Sequence, residues 1–344
     1  MVRIAFIGPM LGVNPGRVPD PAEELARRLR QAGHQCYTFS PVENRYLRFA
    51  DILRSILSYH SRFDVICLQV YGGPSFVVED TVSWLALRLN KKLVMALHGG
   101  ALPRFLSRHR SWAKRVLRRA HILATPSRYL AGELWQLGFD CTVIPNALDL
   151  SQYPYRHRQK ASPRLAWLRA FHRIYSPADA VLALAELAPQ FPDIHLSMIG
   201  PDLGDGAFQT AAEVIRRQRL QDRVTVLGPI PKAQVADVLS AHDILLNTTR
   251  YESFGIGVME AAALGMAIVT TAVGELPYLW QDQVNALLVP PGRPDLLASA
   301  VRRLLTEPEL TARLSKNARA RAEQFAWERI LPQWEELFQR LEAG

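Results

Sequence analysis

The sequence predicts an α/β protein built from two doubly wound, Rossmann-like domains. Short runs rich in Val, Ile and Leu alternate with amphipathic stretches along the whole chain. Near-continuous apolar runs of this kind suit parallel strands covered on both faces by crossover helices. The length of 344 residues exceeds the roughly 250–300 at which single cores stop growing. An aperiodic polar stretch, 151–163, interrupts the alternation near the middle.

Strand candidates in the first half are 2–8, 36–41, 63–70, 92–98, 121–126 and 141–145. The second half offers 164–169, 194–200, 224–228, 243–249, 267–273 and 286–290. The first helix carries a full set of end signals: Asp20 as N-cap, Pro21 at the first helical position, Glu23 completing a capping box, and Gly33 as the stop. Leu25, Leu29 and Ala32 mark its apolar face. The break between halves falls at Ile144-Pro-Asn-Ala-Leu-Asp149. This gives a first domain of 1–147, a second of 148–327, and a last helix, about 328–344, returning to the first. Doubly wound sheets bind ligands beyond the carboxyl ends of their strands, so two facing each other would place a site in the cleft between them.

Hydrophobic residues make up 49% of the chain, enough for sizeable cores. Cys36, Cys67 and Cys141 are odd in number, lie in apolar runs and lack metal-ligand spacing, which reads as reduced packing cysteines of a cytoplasmic protein. The apolar N-terminus lacks the flanks of a signal peptide, and no apolar run reaches the roughly 18–20 residues of a membrane span. Charge is uneven. Residues 1–147 hold 20 Lys+Arg against 10 Asp+Glu, and the remainder holds 21 against 22. A basic first domain suggests an acidic partner, such as anionic lipid or a phosphorylated acceptor.

The segment Glu252-Ser-Phe-Gly-Ile-Gly-Val-Met-Glu260 follows a predicted strand, with a helix expected to begin near Ser253 or Phe254 and end before Gly265. Gly255 and Gly257 would admit a ligand close to the backbone, and free N–H groups at a helix start favour a diphosphate. Glu260, two turns in, suits the vicinal diol of a ribose. A surface helix carrying two glutamates fits the spacing equally well. No GxGxxG or Walker A loop is present, so plain dinucleotide or ATP binding lacks its usual support.

The segment resembles the E-x7-E signature of the family 4 retaining glycosyltransferases of the GT-B fold. The surroundings match in order: Ala241-His-Asp243, Ile244-Leu-Leu-Asn-Thr248, Gly274-Glu-Leu-Pro277, Leu288-Val-Pro-Pro-Gly292 and Phe325-Ala-Trp327 are similar to the family's landmarks, and Ile144-Pro-Asn-Ala-Leu-Asp149 is similar to its interdomain segment. The resemblance implies two domains facing across a cleft, with the first binding acceptor and the second binding a nucleoside-diphosphate sugar. It also implies a retaining, hexosyltransferase-type reaction that uses no metal and no other cofactor.

Roles follow from the resemblance residue by residue. Glu260 would hold the ribose, and Glu252 would lie near the donor sugar and leaving diphosphate. Arg169 would bind phosphate, for which a guanidinium fork is suited. Phe254, Gly255 and Ile256 would line the donor, and His98 in Leu97-His-Gly-Gly100 would reach the sugar. Two positions depart from the pattern. Ile174 stands where the family has a second phosphate-binding lysine, with Arg173 as the nearest substitute. Gly16-Arg17 stands where paired glycines are common, on the acceptor side.

Pro103 to Ala120 holds seven Lys/Arg and no acidic residue. Read as one helix, it puts Phe105, Trp112 and Val116 on one face, with Arg108, Lys114 and Arg115 among the basic residues elsewhere. That pattern fits an interfacial helix at the inner face of the cell membrane, contacting lipid or a lipid-linked acceptor. It fits an ordinary helix packed on the sheet as well. Nucleic acid is not expected, since no binding module or stacking platform is recognisable. Two other functions suit the same residues: another GT-B enzyme, such as a sugar-nucleotide epimerase, and a catalytically silent subunit that binds sugar nucleotide or lipid.

Overall fold

A computed structural model describes residues 1–14, 19–99 and 102–343. The chain divides into two compact units, Met1–Ala147 with Trp327–Gly344, and Leu148–Ala326. Trp327 thus belongs with the first unit and not at the end of the second.

Unit 1 holds β1 (Arg3–Ile7), β2 (Gln35–Phe39), β3 (Val65–Val70), β4 (Lys92–Leu97), β5 (Ile122–Thr125) and β6 (Thr142–Val143). They form one parallel sheet in the order β2-β1-β3-β4-β5-β6. Unit 2 holds β7 (Arg164–Leu168), β8 (His195–Ile199), β9 (Val224–Gly228), β10 (Ile244–Asn247), β11 (Ala267–Thr271) and β12 (Leu287–Val289). Its sheet, also parallel, runs β12-β11-β10-β7-β8-β9. Every candidate run overlaps one of these strands. The central ones are mostly buried, along their full length in β3, β10 and β11, because helices cover both faces.

The first helix, α1 (Pro21–Gln31), has its capping box as the sequence predicts: Asp20 Oδ1 accepts from the Ala22 N–H at 2.9 Å, and Glu23 Oε1 accepts from the Asp20 N–H at 2.9 Å. Gly33 leaves it at φ 93°. Its buried face is Ala22, Leu25, Ala26 and Leu29. Ala32, expected on that face, is the exposed cap residue. Helices α2 (Arg45–Tyr59) and α3 (Phe76–Arg88) follow β2 and β3. The last helix, Trp327–Ala343, packs Ile330, Leu337 and Phe338 into the core of unit 1, where Phe338 meets Phe6 edge-on at 6.2 Å.

The basic stretch is two helices, α4 (Leu102–Arg108) and α5 (Arg110–Leu117), broken at His109 with φ −116° and ψ 43°. The break lets Phe105 and Trp112 both pack on Phe76, at 4.9 and 5.0 Å. Leu102, Leu106, Ala113, Val116 and Leu117 are buried in the same core. The apolar face is thus spent on the core, as the reading of helices packed on the sheet expects, and only the basic side chains outside it are left for lipid. Arg108 is exposed, Lys114 is half-buried, and Arg115 joins Arg119 on the carboxylate of Asp80. Among the described residues, no helix is long and apolar enough to cross a membrane. The three cysteines are free, and burial pushes the Cys67 thiol up to about 12.

Candidate functional site

In unit 2 the winding reverses between β7 and β10, one leading outward to β8 and β9, the other to β11 and β12. The crevice beyond the carboxyl ends of such a strand pair is the usual ligand site of open α/β sheets. Arg169 is the first residue after β7, and Arg250 to Glu252 follow β10. The guanidinium of Arg169 is in direct contact with the carboxylate of Glu252 and lies over the Tyr175 ring, 5.2 Å from its centroid.

Two glycines make room for this pair. A Cβ on Gly200 would stand 1.9 Å from the carbonyl oxygen of Arg169, and one on Gly274 would stand 2.0 Å from that of Glu252. Glu275 N–H donates to the same Glu252 carbonyl at 3.0 Å. This is the physical content of Gly274-Glu-Leu-Pro277: it fixes the backbone of the carboxylate it follows by 22 positions.

The helix after Glu252 is Ile256–Ala263, two or three residues shorter at its start than expected. Gly255 precedes it at φ 93°, outside the helical region, so Ser253 and Phe254 cannot join it. Glu260 therefore lies just past the first turn, not two turns in. Among the described residues no side chain caps this helix, which leaves its first N–H groups and the positive end of its dipole for an anion. Ile256 is exposed there, but Phe254 is not a lining side chain. It is buried against Phe325, with ring centroids 5.9 Å apart, and can face a ligand only through its backbone.

Glu260 is 2% exposed, and its Oε1 accepts from the Tyr153 hydroxyl at 3.0 Å. The same oxygen contacts the ammonium of Lys232. Burial pushes that ammonium down to about 8, which still leaves it mostly charged at neutral pH. Sequence reasoning missed both partners. Tyr153 sits in the polar stretch that lacks periodicity, and Lys232 sits on a single 3-10 turn, Lys232–Gln234, after β9.

Arg173, the nearest substitute for the missing lysine, is exposed on the turn Arg173–Tyr175, its backbone N–H bound to Asp205 Oδ2 at 2.7 Å. The Ile174 carbonyl accepts from the Arg250 N–H at 2.7 Å. This position therefore ties the loop after β7 to the loop after β10 and supplies no cation.

His98, the residue after β4, belongs to unit 1. Its Nε2 is 2.9 Å from Gln69 Oε1, and its ring stacks on Tyr71 at 5.5 Å. Gln69 Nε2 donates to the Cys67 carbonyl at 3.4 Å. That leaves Gln69 Oε1 as acceptor, which assigns the imidazole proton to Nε2 and leaves Nδ1 as acceptor. Burial lowers the His98 pKa, with Asp20 opposing. Gly16 and Arg17 lie outside the described residues. Among those described, no cluster of three His, Cys, Asp or Glu side chains could hold a metal ion.

The family model described as "Glycosyl transferases group 1" matches residues 166–321, and the one described as "Glycosyltransferase Family 4" matches residues 21–152. A D-inositol 3-phosphate glycosyltransferase of Segniliparus rotundus is 29% identical over 198 residues, covering 54% of this chain and 44% of that enzyme. The chain thus spans less than half the length of that curated relative. Among solved structures, the sucrose-phosphate synthase of Thermosynechococcus elongatus has a TM-score of 0.84 at 20% identity, covering 100% of both chains. The Anabaena protein HepE, in complex with UDP and glucose, has a TM-score of 0.81 at 18% identity, covering 99% of this chain and 100% of that one. At those identities the two structures show the fold alone, which is GT-B. The two models together take in most of both units, the Glu252–Glu260 segment lies inside the first of them, and the chain belongs to the family 4 type of GT-B glycosyltransferases.

Proposed function

We propose that the protein is a retaining glycosyltransferase that moves a sugar from a nucleoside-diphosphate sugar to an acceptor hydroxyl without a metal ion. The bond from the anomeric carbon to the diphosphate oxygen breaks, and a bond from that carbon to the acceptor oxygen forms on the same face. The departing phosphate takes the acceptor's proton, so no protein nucleophile is required.

The observation that carries this reading is the Arg169–Glu252 contact at the switch point of the unit 2 sheet, beside an uncapped helix start. A guanidinium has five donors, so the pairing with Glu252 leaves N–H groups for the diphosphate while fixing their direction. Charge that builds on the leaving group then meets preorganised donors, the largest single source of rate in such reactions. Glu260 takes the ribose diol, Glu252 orients Arg169 and faces the donor sugar, and His98 accepts from a sugar hydroxyl at Nδ1. The arginines exposed along α4 and α5 and at the end of α5, Arg104, Arg108, Arg110 and the cap residue Arg118, support peripheral contact with an anionic membrane by charge alone.

Calorimetry with UDP-, GDP- and ADP-sugars tests class and donor together. Product analysis with the labelled sugar nucleotide that binds then separates the readings. A glycoside with the donor's anomeric configuration supports transfer with retention. An epimerised sugar nucleotide, or tight binding with no transfer to any extract-derived acceptor, overturns it.

A further inference from the structure

The sheet of unit 1 has its own switch point, between β1 and β3, where one connection leads outward to β2 and the other toward β4. A cavity of about 700 Å³ opens there, at the carboxyl ends of those two strands. Ile7 and Leu68 form its floor, Phe49 and Ile52 wall it from α2, and Val78 and Glu79 wall it from α3. Most of the lining is apolar, and Tyr46 and Val77, large apolar side chains of the same lining, are 69% and 51% exposed.

Glu79 is the exception inside. It is 3% exposed, Oε1 accepts from the Tyr71 N–H at 3.1 Å, and Oε2 is buried with no partner among the described residues. Burial pushes this carboxyl up to about 8, so at neutral pH it carries a proton and has an O–H to donate. A buried polar group left unsatisfied is costly and uncommon, and this one lies on the wall of a cavity. At the rim, Arg45 is exposed and stacks over the Tyr46 ring at 4.8 Å. Arg48 stands beside it, bonded to the carbonyls of Val42 and Glu43. Glu79 is the one acidic residue among those that line the cavity. Gln69, also in the lining, holds His98 at 2.9 Å.

We propose that this cavity seats the acceptor, and that the acceptor is a phosphorylated amphiphile. Its hydrocarbon body fills the apolar interior, an ester or ether oxygen accepts from Glu79, and its phosphate meets Arg45 at the rim. The proposal rests on the glycosyltransferase reading for the word acceptor, but not for the cavity's ligand chemistry. The Gln69–His98 bond would then couple the seated acceptor to the residue assigned to the sugar.

The test uses the full chain and lysophosphatidic acid, below its critical micelle concentration, as the probe. Inorganic phosphate and vesicles of phosphatidic acid are the comparison arms. Calorimetry is expected to show saturable binding of the monomeric lipid and none of inorganic phosphate at the same concentrations. Val78→Trp, which fills the cavity, and Arg45→Ala, at the exposed rim, should each weaken binding by about tenfold or more. Both variants should keep the wild-type circular dichroism spectrum and a single cooperative melt, which shows that unit 1 is folded, and should bind the nucleotide sugar as the wild type does. Lipid binding unchanged by Val78→Trp, or inorganic phosphate bound as well as the lipid, would overturn the proposal. So would binding to vesicles alone, which would mark a charged surface in place of a pocket. Loss of the glycosyltransferase reading would appear separately, as no nucleotide-sugar binding by the wild type.

Discussion

Replacing Glu260 with Gln separates the two things its carboxylate does. In the fold it neutralises Lys232 and accepts from Tyr153 at 3.0 Å while 2% exposed. Breaking a buried ion pair by removing one partner costs about 3–5 kcal/mol when the other charge is trapped. The Lys232 side chain, however, is 38% exposed, so its ammonium can turn to water. The expected loss is accordingly about 1–2 kcal/mol, nearer the scale of a partly exposed pair. For the ligand, the variant exchanges charge-assisted hydrogen bonds to a ribose diol for neutral ones, a weakening of about 1.5–3 kcal/mol, or roughly 10- to 150-fold in Kd. The assay pairs calorimetry with thermal denaturation for Glu260→Gln, Lys232→Met and the double variant. Removing both charges should recover most of the stability and none of the affinity. A Kd for the nucleotide that is unchanged in Glu260→Gln would refute the ribose assignment, whatever the effect on stability.

Arg169→Lys keeps a charge but loses the fork. Its kcat/KM should fall by about 10²- to 10³-fold, as for loss of a donor to a developing oxyanion, and a wild-type steady-state rate would contradict the diphosphate role. Gly274→Ala places a methyl against the carbonyl oxygen of Glu252 at a φ of 55°. It should cost about 2 kcal/mol or more in denaturant melts and displace Glu252, so a variant with normal stability and activity would show that the loop gives way freely. Glu79 predicts a pH dependence of stability. Its carboxyl titrates near 8 when folded and at an ordinary 4.5 when unfolded, so the native state holds the extra proton between those values. Stability is full below about 4.5 and falls as pH rises toward 8, by an upper bound of about 4–5 kcal/mol. Glu79→Gln should match the wild type in Tm at pH 5 and exceed it at pH 9, whereas parallel curves would place the folded pKa near its usual value.

The strands were legible because each is a short apolar run bounded by turn residues, a signal carried locally by the chain. The first helix was legible for the same reason: Asp20, Pro21, Glu23 and Gly33 lie within a few residues of the ends they specify. Features set by distant neighbours were not. The continuous pattern from Pro103 to Ala120 conceals a break at His109 that serves Phe76, far earlier in the chain. The start of the Ile256–Ala263 helix is displaced by Gly255 and by a loop from Gly274 packed on Glu252. Lys232 reaches Glu260 across 28 positions from a single turn with no motif around it, and Tyr153 does so across 107. Phe254 sits inside the signature, where sequence gives no sign that its side chain turns to the core and only its backbone is left for a ligand.

The two units use one topological device for opposite chemistry. In each, adjacent strands wound outward in opposite directions leave a crevice at their carboxyl ends, and the residues that follow those strands line it. In unit 2 the crevice holds Arg169, Glu252, Lys232 and Glu260, charges satisfied by one another yet left with spare hydrogen-bonding capacity. Paired charges of that kind are poised for a highly charged ligand, because a diphosphate replaces part of one carboxylate's role without stranding the other ions. In unit 1 the crevice is walled by Ile7, Leu68, Phe49 and Val78, and its one acid stands unpaired and protonated. A phosphate set deep among those walls would meet apolar side chains and Glu79, since the lining cations are Arg45 and Arg48 at the rim, and a free sugar would leave most of the wall dry of partners. A hydrocarbon with a single accepting oxygen meets both the wall and Glu79, which confines the anionic part of any acceptor to Arg45 at the rim.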